Sequence, residues 1–396
     1  MDHAVPLVEP PTGSRPPVVL QVLPALVTGG VERGTIDVAT ALVEAGWTSL
    51  VASEGGPMSR ELSRVGAEHI TLPLASKNPL VIRRNTEHLA ELITTHGVDI
   101  VHARSRAPAW SAWAAAQQTG RHFLTTFHGT YNLGLFGLKE RYNAVMTRGE
   151  RVIAISDFIA EHVWRIYGVD PERIRIVPRG IDLTRFDPTR VSQERIIQLA
   201  QKWRLPDGYP VIMLPGRLTR WKGQGVLIEA IARLGRRDLR CLLVGSDQGR
   251  TAYRDSLVDL VKRRGLADVV HLTGDCGDMP AAYMLTDVVV SASTDPEAFG
   301  RVAVEGQAMG RPVIASGHGA SPETILSGQT GWLTPPGDAE ALAEALDRFL
   351  SLDAEERAAM ARRGMAHVRA YFTKETMCAR TLDIYRDLLQ SPPSPP

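Results

Sequence analysis

Cysteine is scarce in this chain, with three residues among 396, and no two of them form a C-x-x-C pair. Scattered thiols at Cys241, Cys276 and Cys378 supply neither a disulfide framework nor a zinc site, and they fit a reducing compartment. No stretch approaches the roughly 18 consecutive apolar residues that a membrane-spanning helix needs. The N-terminal residues lack the basic start and apolar run of a secretory signal. We therefore expect a cytoplasmic protein.

Net charge is also nearly absent, because 45 basic residues offset 44 acidic ones. The chain therefore offers no general positive field that would attract nucleic acid. An Asp-x-Asp pair, a common metal-binding motif, is missing as well. This absence fits chemistry that needs no metal ion. We also expect no cofactor.

Short apolar segments alternate with helical segments along the chain, which predicts doubly wound parallel sheets. The first series begins with a buried strand at Val18–Leu23 and ends with a strand at Val152–Ile155. After a break at Pro178–Asp182, a second series runs from Val211–Leu214 to Pro312–Ala315. The sequence therefore predicts an α/β protein with two Rossmann-like domains that face each other across a cleft. The length of the chain agrees with two domains.

The two series also predict the domain boundaries. They give a disordered tail over residues 1–17, a first domain over 18–180, a second domain over 181–373, a last helix over 374–389 and a frayed end over 390–396. Ligands of open parallel sheets bind beyond the carboxyl ends of the strands. The residues that carry chemistry are therefore expected in loops that follow strands.

Two glutamates follow the fourth predicted strand of the second domain, Glu297 in the loop and Glu305 within the next helix. Carboxylates accept hydrogen bonds from paired hydroxyls, so these residues suit the diols of a hexose and a ribose. Backbone N–H groups at the helix start add donors to the same ligand. These N–H groups belong to Phe299, Gly300 and Arg301. A helix cap at Glu297 and a solvated Glu305 would fit the same pattern.

Two cations, Arg217 and Lys222, follow the first strand of the second domain, and Lys222 is predicted to open the next helix. Fixed cations beside a helix start can bind a diphosphate and stabilise the charge on a departing nucleotide. Ordinary surface cations are the alternative. Thr273 belongs to a loop after another strand, where backbone groups can hold a nucleobase. Glu323, after the last strand, fits either the donor pocket or a helix start capped by Ser321.

Two arginines, Arg104 and Arg106, follow a strand of the first domain. Guanidinium groups at that end of a sheet suggest an anionic acceptor, such as a phosphorylated or acidic sugar. Salt bridges or solvated arginines are the alternative. Further along the chain lies an apolar cluster that could contact a membrane surface beside a lipid-linked acceptor. The cluster comprises Leu133, Leu135, Phe136 and Leu138. Core packing or an acceptor lid explains it equally well.

The combination of these motifs, in this order along the chain, resembles the retaining glycosyltransferases of family 4, which have the GT-B fold. The resemblance rests on Arg217 with Lys222, on Glu297 and Glu305, and on the Q-A-M-G-R-P-V-I segment that follows. It extends over nearly the whole chain. It implies that the first domain binds the acceptor, that the second binds the nucleotide sugar, and that the last helix packs back on the first domain.

The resemblance also implies roles for individual residues. It identifies Arg217 and Lys222 as the diphosphate-binding pair, Glu297 as the donor-sugar residue at the reaction face and Glu305 as the ribose-binding residue. In the first domain, Gly30 lies in a segment that resembles the family's glycine-rich donor loop. His128 resembles the family histidine near the reacting carbon.

The implied reaction is transfer of a hexose, with retention, from a UDP- or GDP-linked donor to a glycan or lipid-linked glycan. The resemblance also implies attack from the front face; both glutamates are assigned to donor binding, and no nucleophile is evident. The first-domain motifs are similar to those of lipopolysaccharide-core enzymes, which implies a bacterial surface glycan and a place at the cytoplasmic face of the inner membrane.

Four other classes of protein share part of this sequence pattern. A GT-B epimerase or a glycan phosphorylase is the nearest alternative. A nicotinamide dehydrogenase is disfavoured because Gly-x-Gly-x-x-Gly is missing. A sugar-binding protein without catalysis would be exported and would not need the pair of cations.

Overall fold

The computed structural model describes residues 15–27, 29–131 and 138–393. The chain divides into two compact units. The first comprises Met1–Ile153, Val169–Arg175 and Cys378–Pro396, and the second comprises Ala154–Gly168 and Ile176–Met377.

Seven strands form the first sheet. They are β1 (Val18–Val22), β2 (Thr48–Ser53), β3 (Glu68–Thr71), β4 (Ile100–Ala103), β5 (His122–Phe127), β6 (Arg151–Ala154) and β7 (Ile174–Ile176). Their spatial order is β3-β2-β1-β4-β5-β6-β7, with parallel pairing from β3 through β5. Every residue of β1 is buried, as expected of a central strand with helices on both faces of its sheet.

Within the described residues, five α-helices of the first unit connect these strands. They are α1 (Gly30–Glu44), α2 (Ser59–Arg64), α3 (Pro79–His96), α4 (Arg106–Thr119) and α5 (Leu138–Asn143). Local sequence sets the limits of α3, since Asn78 caps its first turn and Pro79 occupies the first helical position. Gly97 ends the same helix in the left-handed conformation.

Six strands form the second sheet. They are β8 (Val211–Pro215), β9 (Arg240–Val244), β10 (Val270–Gly274), β11 (Val288–Ser291), β12 (Val313–Ser316) and β13 (Gly331–Thr334). All neighbouring strands are parallel, in the order β10-β9-β8-β11-β12-β13. The first six strands of the other sheet have the same relative order, which is that of a doubly wound Rossmann sheet.

Nine helices belong to the second unit, and a tenth is shared. The nine are α6 (Asp157–Tyr167), α7 (Gln193–Trp203), α8 (Gln224–Leu234), α9 (Thr251–Arg263), α10 (Met279–Met284), α11 (Arg301–Ala308), α12 (Ser321–Thr324), α13 (Ala339–Ser351) and α14 (Ala354–Tyr371). Helix α15 (Lys374–Leu389) contributes its first four residues to the second unit and the remainder to the first. A buried core joins α8, α9 and α13 to the second sheet, with Leu227, Leu257 and Leu346 among its members.

The predicted α/β class and the two Rossmann-like sheets are confirmed. Each observed sheet also has one strand more than the sequence predicted, β7 in the first and β13 in the second. Both lie at a sheet edge, where a short strand with one neighbour carries a weak sequence pattern.

Some predictions fall on residues outside the described part of the chain. The apolar cluster at 133–138 is one of them, except for Leu138, which begins α5. Most of the predicted tail over residues 1–17 is another, although Arg15 is described and donates two hydrogen bonds to the Asp99 carboxylate, at 2.7 and 3.0 Å. Among the described helices, none is long and apolar enough to cross a bilayer.

Candidate active site

The loops after β8 and β11 meet in the second unit because the strand order reverses between these two strands. Such a switch point is where open parallel sheets bind ligands. The backbone joins the two loops directly, since Thr294 N–H donates to the Trp221 carbonyl oxygen at 2.7 Å. The cations and the loop glutamate predicted from the sequence are therefore neighbours in space.

The loop after β8 carries the two predicted cations. Arg217 is exposed, and its carbonyl oxygen accepts a hydrogen bond from Gln224 Nε2 at 3.0 Å. Lys222 does not open the next helix as predicted. It ends a short 3-10 turn, Arg220–Lys222, because Gly223 adopts a left-handed conformation with φ 73° before α8 begins.

Gly223 is a structural requirement of this loop. A Cβ atom at this position would stand 1.8 Å from the Ala292 carbonyl oxygen, at the end of β11. Only glycine allows the two backbones to approach so closely, and its positive φ suits the same residue. This close approach brings the Lys222 loop against the Glu297 loop.

Glu297 accepts the hydrogen bonds at the centre of the site. Its Oε1 atom accepts hydrogen bonds from Lys222 Nζ and from Ser293 Oγ, the latter at 2.7 Å. The side chains of Lys222 and Glu297 are 16% and 12% exposed, so the ion pair is largely shielded from water. The Lys222 ammonium also lies 4.3 Å from the centroid of the Trp221 ring. Lys222 and Glu297, which are both predicted to bind the sugar donor, thus form an ion pair with each other.

The loop after β12 holds the backbone of Glu297 in place. Ala320 N–H donates to the Glu297 carbonyl oxygen at 2.9 Å. Gly319, with φ 59°, leaves the room that this contact needs, since a Cβ there would lie 2.5 Å from the same oxygen. The backbone position of Glu297 is therefore fixed independently of its side chain.

Glu323, which the sequence placed either at the donor pocket or in a segment capped by Ser321, has a different role. Its carboxylate accepts hydrogen bonds from the N–H groups of Asp157 and Phe158, each at 2.8 Å, at the start of α6. Burial raises the pKa of Glu323. Ser321 is the first residue of α12 and makes no capping hydrogen bond there.

Glu305 lies on α11, as predicted, and accepts two hydrogen bonds. Tyr283 donates its hydroxyl to Oε2 at 3.0 Å, and Arg301 donates from its guanidinium to Oε1, also at 3.0 Å. Burial, followed by the nearby Glu305 charge, raises the pKa of Tyr283 well above its ordinary value. Arg301, predicted as a donor-binding residue, thus has a side chain that supports Glu305.

Phe299 and Gly300 lie directly before α11. The Phe299 ring is buried and packs edge-to-face on Phe372, with centroids 5.7 Å apart. Gly300 stands at the cap position of α11 with φ 79°. Any contact of Phe299 with a ligand would therefore involve its backbone and not its ring.

A cavity of about 530 Å³ opens beside the loop that follows β10. It is lined by Thr184, Arg185, Arg190, Arg195, Gly277, Asp278 and Pro280. Arg195 and Asp278 form a two-pronged ion pair, with N–O distances of 2.6 and 2.8 Å. Phe186, next to Arg185, packs on the Tyr283 ring, whose hydroxyl bonds Glu305. The cavity and Glu305 are thus linked through two aromatic rings. Thr273 does not lie in a loop as predicted, because β10 extends to Gly274; its side chain is half-buried.

The predicted residues of the first unit lie beyond three of its strands. Gly30 is the first residue of α1, after β1, and His128 follows β5 and is half-buried. Arg104 follows β4, but it is only 5% exposed and donates to Gln21 Oε1 at 3.3 Å. Arg106 is half-buried, stacks over the Tyr131 ring at 4.2 Å and donates to Asn143 Oδ1 at 2.9 Å.

A buried histidine beside these residues was missed by the sequence interpretation. His102 on β4 lies between Tyr385 Oη, at 2.6 Å from Nδ1, and Thr126 Oγ1, at 2.7 Å from Nε2. Burial, and then the nearby Arg104 charge, lowers the pKa of His102 well below its ordinary value. A neutral His102 therefore joins β4, β5 and α15 inside the first unit.

The described residues contain no group of three or more His, Cys, Asp or Glu side chains placed to hold a metal ion. That the enzyme works without a metal stays a prediction.

Comparison with known proteins identifies the family. Residues 28–185 match the family Glycosyltransferase Family 4, and residues 196–367 match Glycosyl transferases group 1. A crystal structure of a glycosyltransferase from Rickettsia africae is 38% identical, covers 96% of this chain and 100% of its own, and superposes with a TM-score of 0.89. The chain belongs to glycosyltransferase family 4. It is a glycosyltransferase with the GT-B fold.

Two further relatives are informative about this glycosyltransferase. A D-inositol 3-phosphate glycosyltransferase of Xylanimonas cellulosilytica is 30% identical over 311 residues, which are 75% of this chain and 73% of the relative. The structure of Anabaena HepE in complex with UDP-glucose is 24% identical, covers 93% of this chain and 99% of its own, and has a TM-score of 0.80. The HepE structure shows that this chain shares its fold with HepE as well.

Proposed function

We propose that this glycosyltransferase transfers a hexose from a nucleoside diphosphate sugar to a hydroxyl of an anionic acceptor, with retention and without a metal. The observation that carries the proposal is the placement of Lys222 against Glu297 at the switch point of the second sheet. A cation for the diphosphate and a carboxylate for the sugar hydroxyls stand side by side there. The complex of HepE with UDP-glucose supports a donor of this class.

Each part of the donor has a matching group in the second unit. Arg217 and Lys222 bind the diphosphate, together with backbone N–H groups at the start of α11. Glu297 accepts from hydroxyls of the hexose, and Glu305 accepts from the ribose. The base lies toward Thr273 and the adjoining cavity. Gly30, in the first unit, stays a predicted donor-binding residue.

The main contribution to catalysis comes from the positive charges of Arg217 and Lys222, which are in the site before the reaction begins. The acceptor oxygen attacks the anomeric carbon on the face from which the phosphate departs. The bond between that carbon and the phosphate oxygen breaks, and the acceptor proton passes to the departing oxygen. Arg217 and Lys222 stabilise the charge that grows on the leaving diphosphate, in place of a divalent cation. His128, in the first unit, stays a predicted catalytic residue.

Binding of a nucleoside diphosphate is the direct test of this function. UDP, GDP, ADP, NAD and inorganic phosphate are compared by thermal unfolding. At about 100 times its dissociation constant, the true ligand is expected to add about 2.7 kcal/mol of stability. One of the first two is expected to respond. Stabilisation by NAD alone would overturn the proposal, and stabilisation by inorganic phosphate alone would indicate a phosphorylase.

The acceptor is proposed to carry a phosphate group, and the first unit is proposed to bind that group. The relative from Xylanimonas cellulosilytica, named for D-inositol 3-phosphate, supports this class. Of the two candidate arginines, Arg106 is the more accessible, and the Tyr131 ring and Asn143 hold its guanidinium in place. Arg104 is almost fully buried and donates to Gln21, so we assign it a supporting role in the first unit.

Substituting Arg106→Ala is expected to raise KM for a phosphorylated acceptor about tenfold or more, because a charge-assisted hydrogen bond is lost. KM for the same acceptor without phosphate should change little. Arg148→Ala is a matched control, since Arg148 also stacks on an aromatic ring, that of Trp113 at 4.6 Å, but has no proposed contact with the acceptor. Equal losses for charged and neutral acceptors would reject the assignment of Arg106.

The cellular setting is proposed from the sequence alone. A cytoplasmic enzyme at the inner membrane, acting in lipopolysaccharide or other surface-glycan synthesis, stays a prediction. Of the apolar cluster that suggested membrane contact, only Leu138 belongs to the described residues.

A further inference from the structure

Ser293 is a buried serine that no motif in the sequence singled out. It lies two residues beyond β11, is 1% exposed, and donates its hydroxyl to Glu297 Oε1 at 2.7 Å. A hydroxyl buried to this extent and bonded to a carboxylate makes a charge-assisted hydrogen bond, which is stronger than a neutral one.

The backbone around Ser293 is held from two sides. Its carbonyl oxygen lies 3.0 Å from His318 Nε2, in the loop after β12. The next residue, Thr294, donates its N–H to the Trp221 carbonyl oxygen in the loop after β8. Ser293 therefore occupies a fixed point where three loops meet, and the direction of its hydroxyl is fixed with it.

Two donors share one oxygen of Glu297. Both Lys222 Nζ and Ser293 Oγ bond Oε1, and no hydrogen bond from a described residue ends on Oε2. Lys222 is also the residue proposed to bind the donor diphosphate. With a phosphate bound, its ammonium would be shared between that phosphate and Glu297, whereas the Ser293 hydroxyl bonds Oε1 alone.

We propose that Ser293 is a positioning residue, which anchors Glu297 through Oε1 so that Oε2 accepts from a hydroxyl of the donor sugar. The inference rests on the proposed function, because it assumes that Glu297 contacts the sugar. Its consequence is specific: losing the Ser293 hydroxyl should weaken recognition of the sugar and leave recognition of the nucleotide diphosphate unchanged.

The test compares UDP with UDP-glucose as probes, by calorimetric titration of the full-length protein. For Ser293→Ala, the dissociation constant of UDP-glucose is expected to rise about tenfold, the effect of losing one hydrogen bond to a charged group. The dissociation constant of UDP should stay within about twofold. Ser293→Thr keeps the hydroxyl and is expected to recover most of the affinity for UDP-glucose.

Ser291→Ala provides the matched control, because Ser291 is also buried and lies two residues upstream on β11. It should leave both affinities unchanged. A Ser293→Ala protein that loses affinity for UDP and UDP-glucose equally, or for neither, would overturn the positioning role. A wild-type protein that binds neither probe would instead exclude UDP-glucose as the donor, and the role of Ser293 toward that donor would fall with it.

Discussion

Lys222→Ala is expected to lower the turnover number by about 10²- to 10³-fold, the typical cost of removing one group that stabilises charge in the transition state. The structure holds the ammonium in place before any reaction, through Glu297 and the Trp221 ring. A cation that is already oriented needs little rearrangement when charge develops on the leaving diphosphate. The measurement is the initial rate at which nucleoside diphosphate is released at saturating donor and acceptor.

Arg220→Ala is the matched control for Lys222→Ala. Arg220 belongs to the same 3-10 turn, but it is exposed and its guanidinium lies 5.4 Å from the centroid of the Tyr253 ring. Its loss should change turnover by no more than about twofold, as is usual for exposed charges.

A second measurement separates a direct role of Lys222 from an indirect one. Removing Lys222 leaves Glu297 as a largely buried carboxylate without its ion-pair partner, which is itself costly. If that cost were the cause of the lost turnover, Lys222→Ala would unfold at a lower temperature but bind the nucleoside diphosphate with unchanged affinity. Unchanged affinity for the nucleoside diphosphate, or near-normal turnover, in Lys222→Ala would contradict a role of Lys222 at the diphosphate.

The charged residues of the site could be predicted from the sequence because each follows a recognisable strand. Parallel strands bring the loops at their carboxyl ends to one edge of the sheet. The contacts between those residues could not be predicted in the same way. Lys222 and Glu297 are 75 positions apart, and nothing in one sequence indicates that they form an ion pair.

The neutral partners of the glutamates were missed for a related reason. Serine and tyrosine occur throughout the chain, and no local pattern marks Ser293 or Tyr283 as a hydrogen-bond donor to a carboxylate. Tyr283 also reaches Glu305 from a different helix, α10. Such roles depend on packing between elements, which local patterns do not encode.

Edge strand β13 illustrates the same limit for the fold. Its sequence, G-W-L-T, begins with a glycine, and glycine is normally depleted in strands. The structure gives the reason for the exception, since a Cβ atom at Gly331 would lie 1.8 Å from the Val313 carbonyl oxygen of β12. Gly331 therefore permits the pairing of β13 with β12, although glycine in a strand normally counts against one. This role of the glycine follows from the close approach of β12, which the sequence does not show.

Gly223→Ala is expected to destabilise the second unit by roughly 3 to 5 kcal/mol, because left-handed strain and a backbone collision add together. The added Cβ would stand 1.8 Å from the Ala292 carbonyl oxygen, and a backbone atom cannot move aside as a flexible side chain can. For a unit of this size, that loss lowers the unfolding temperature by roughly 6 °C or more. Scanning calorimetry measures it.

The other end of the same helix supplies the control. Gly235, just after α8, has φ 69° and meets no atom nearer than 3.9 Å when a Cβ is added. Gly235→Ala should therefore show the left-handed strain alone, about 1 to 2 kcal/mol. Similar losses for both variants would mean that the approach of Gly223 to Ala292 is not tight in solution. A larger loss for Gly223→Ala, together with weaker nucleotide binding, would connect this glycine to the placement of Lys222 beside Glu297.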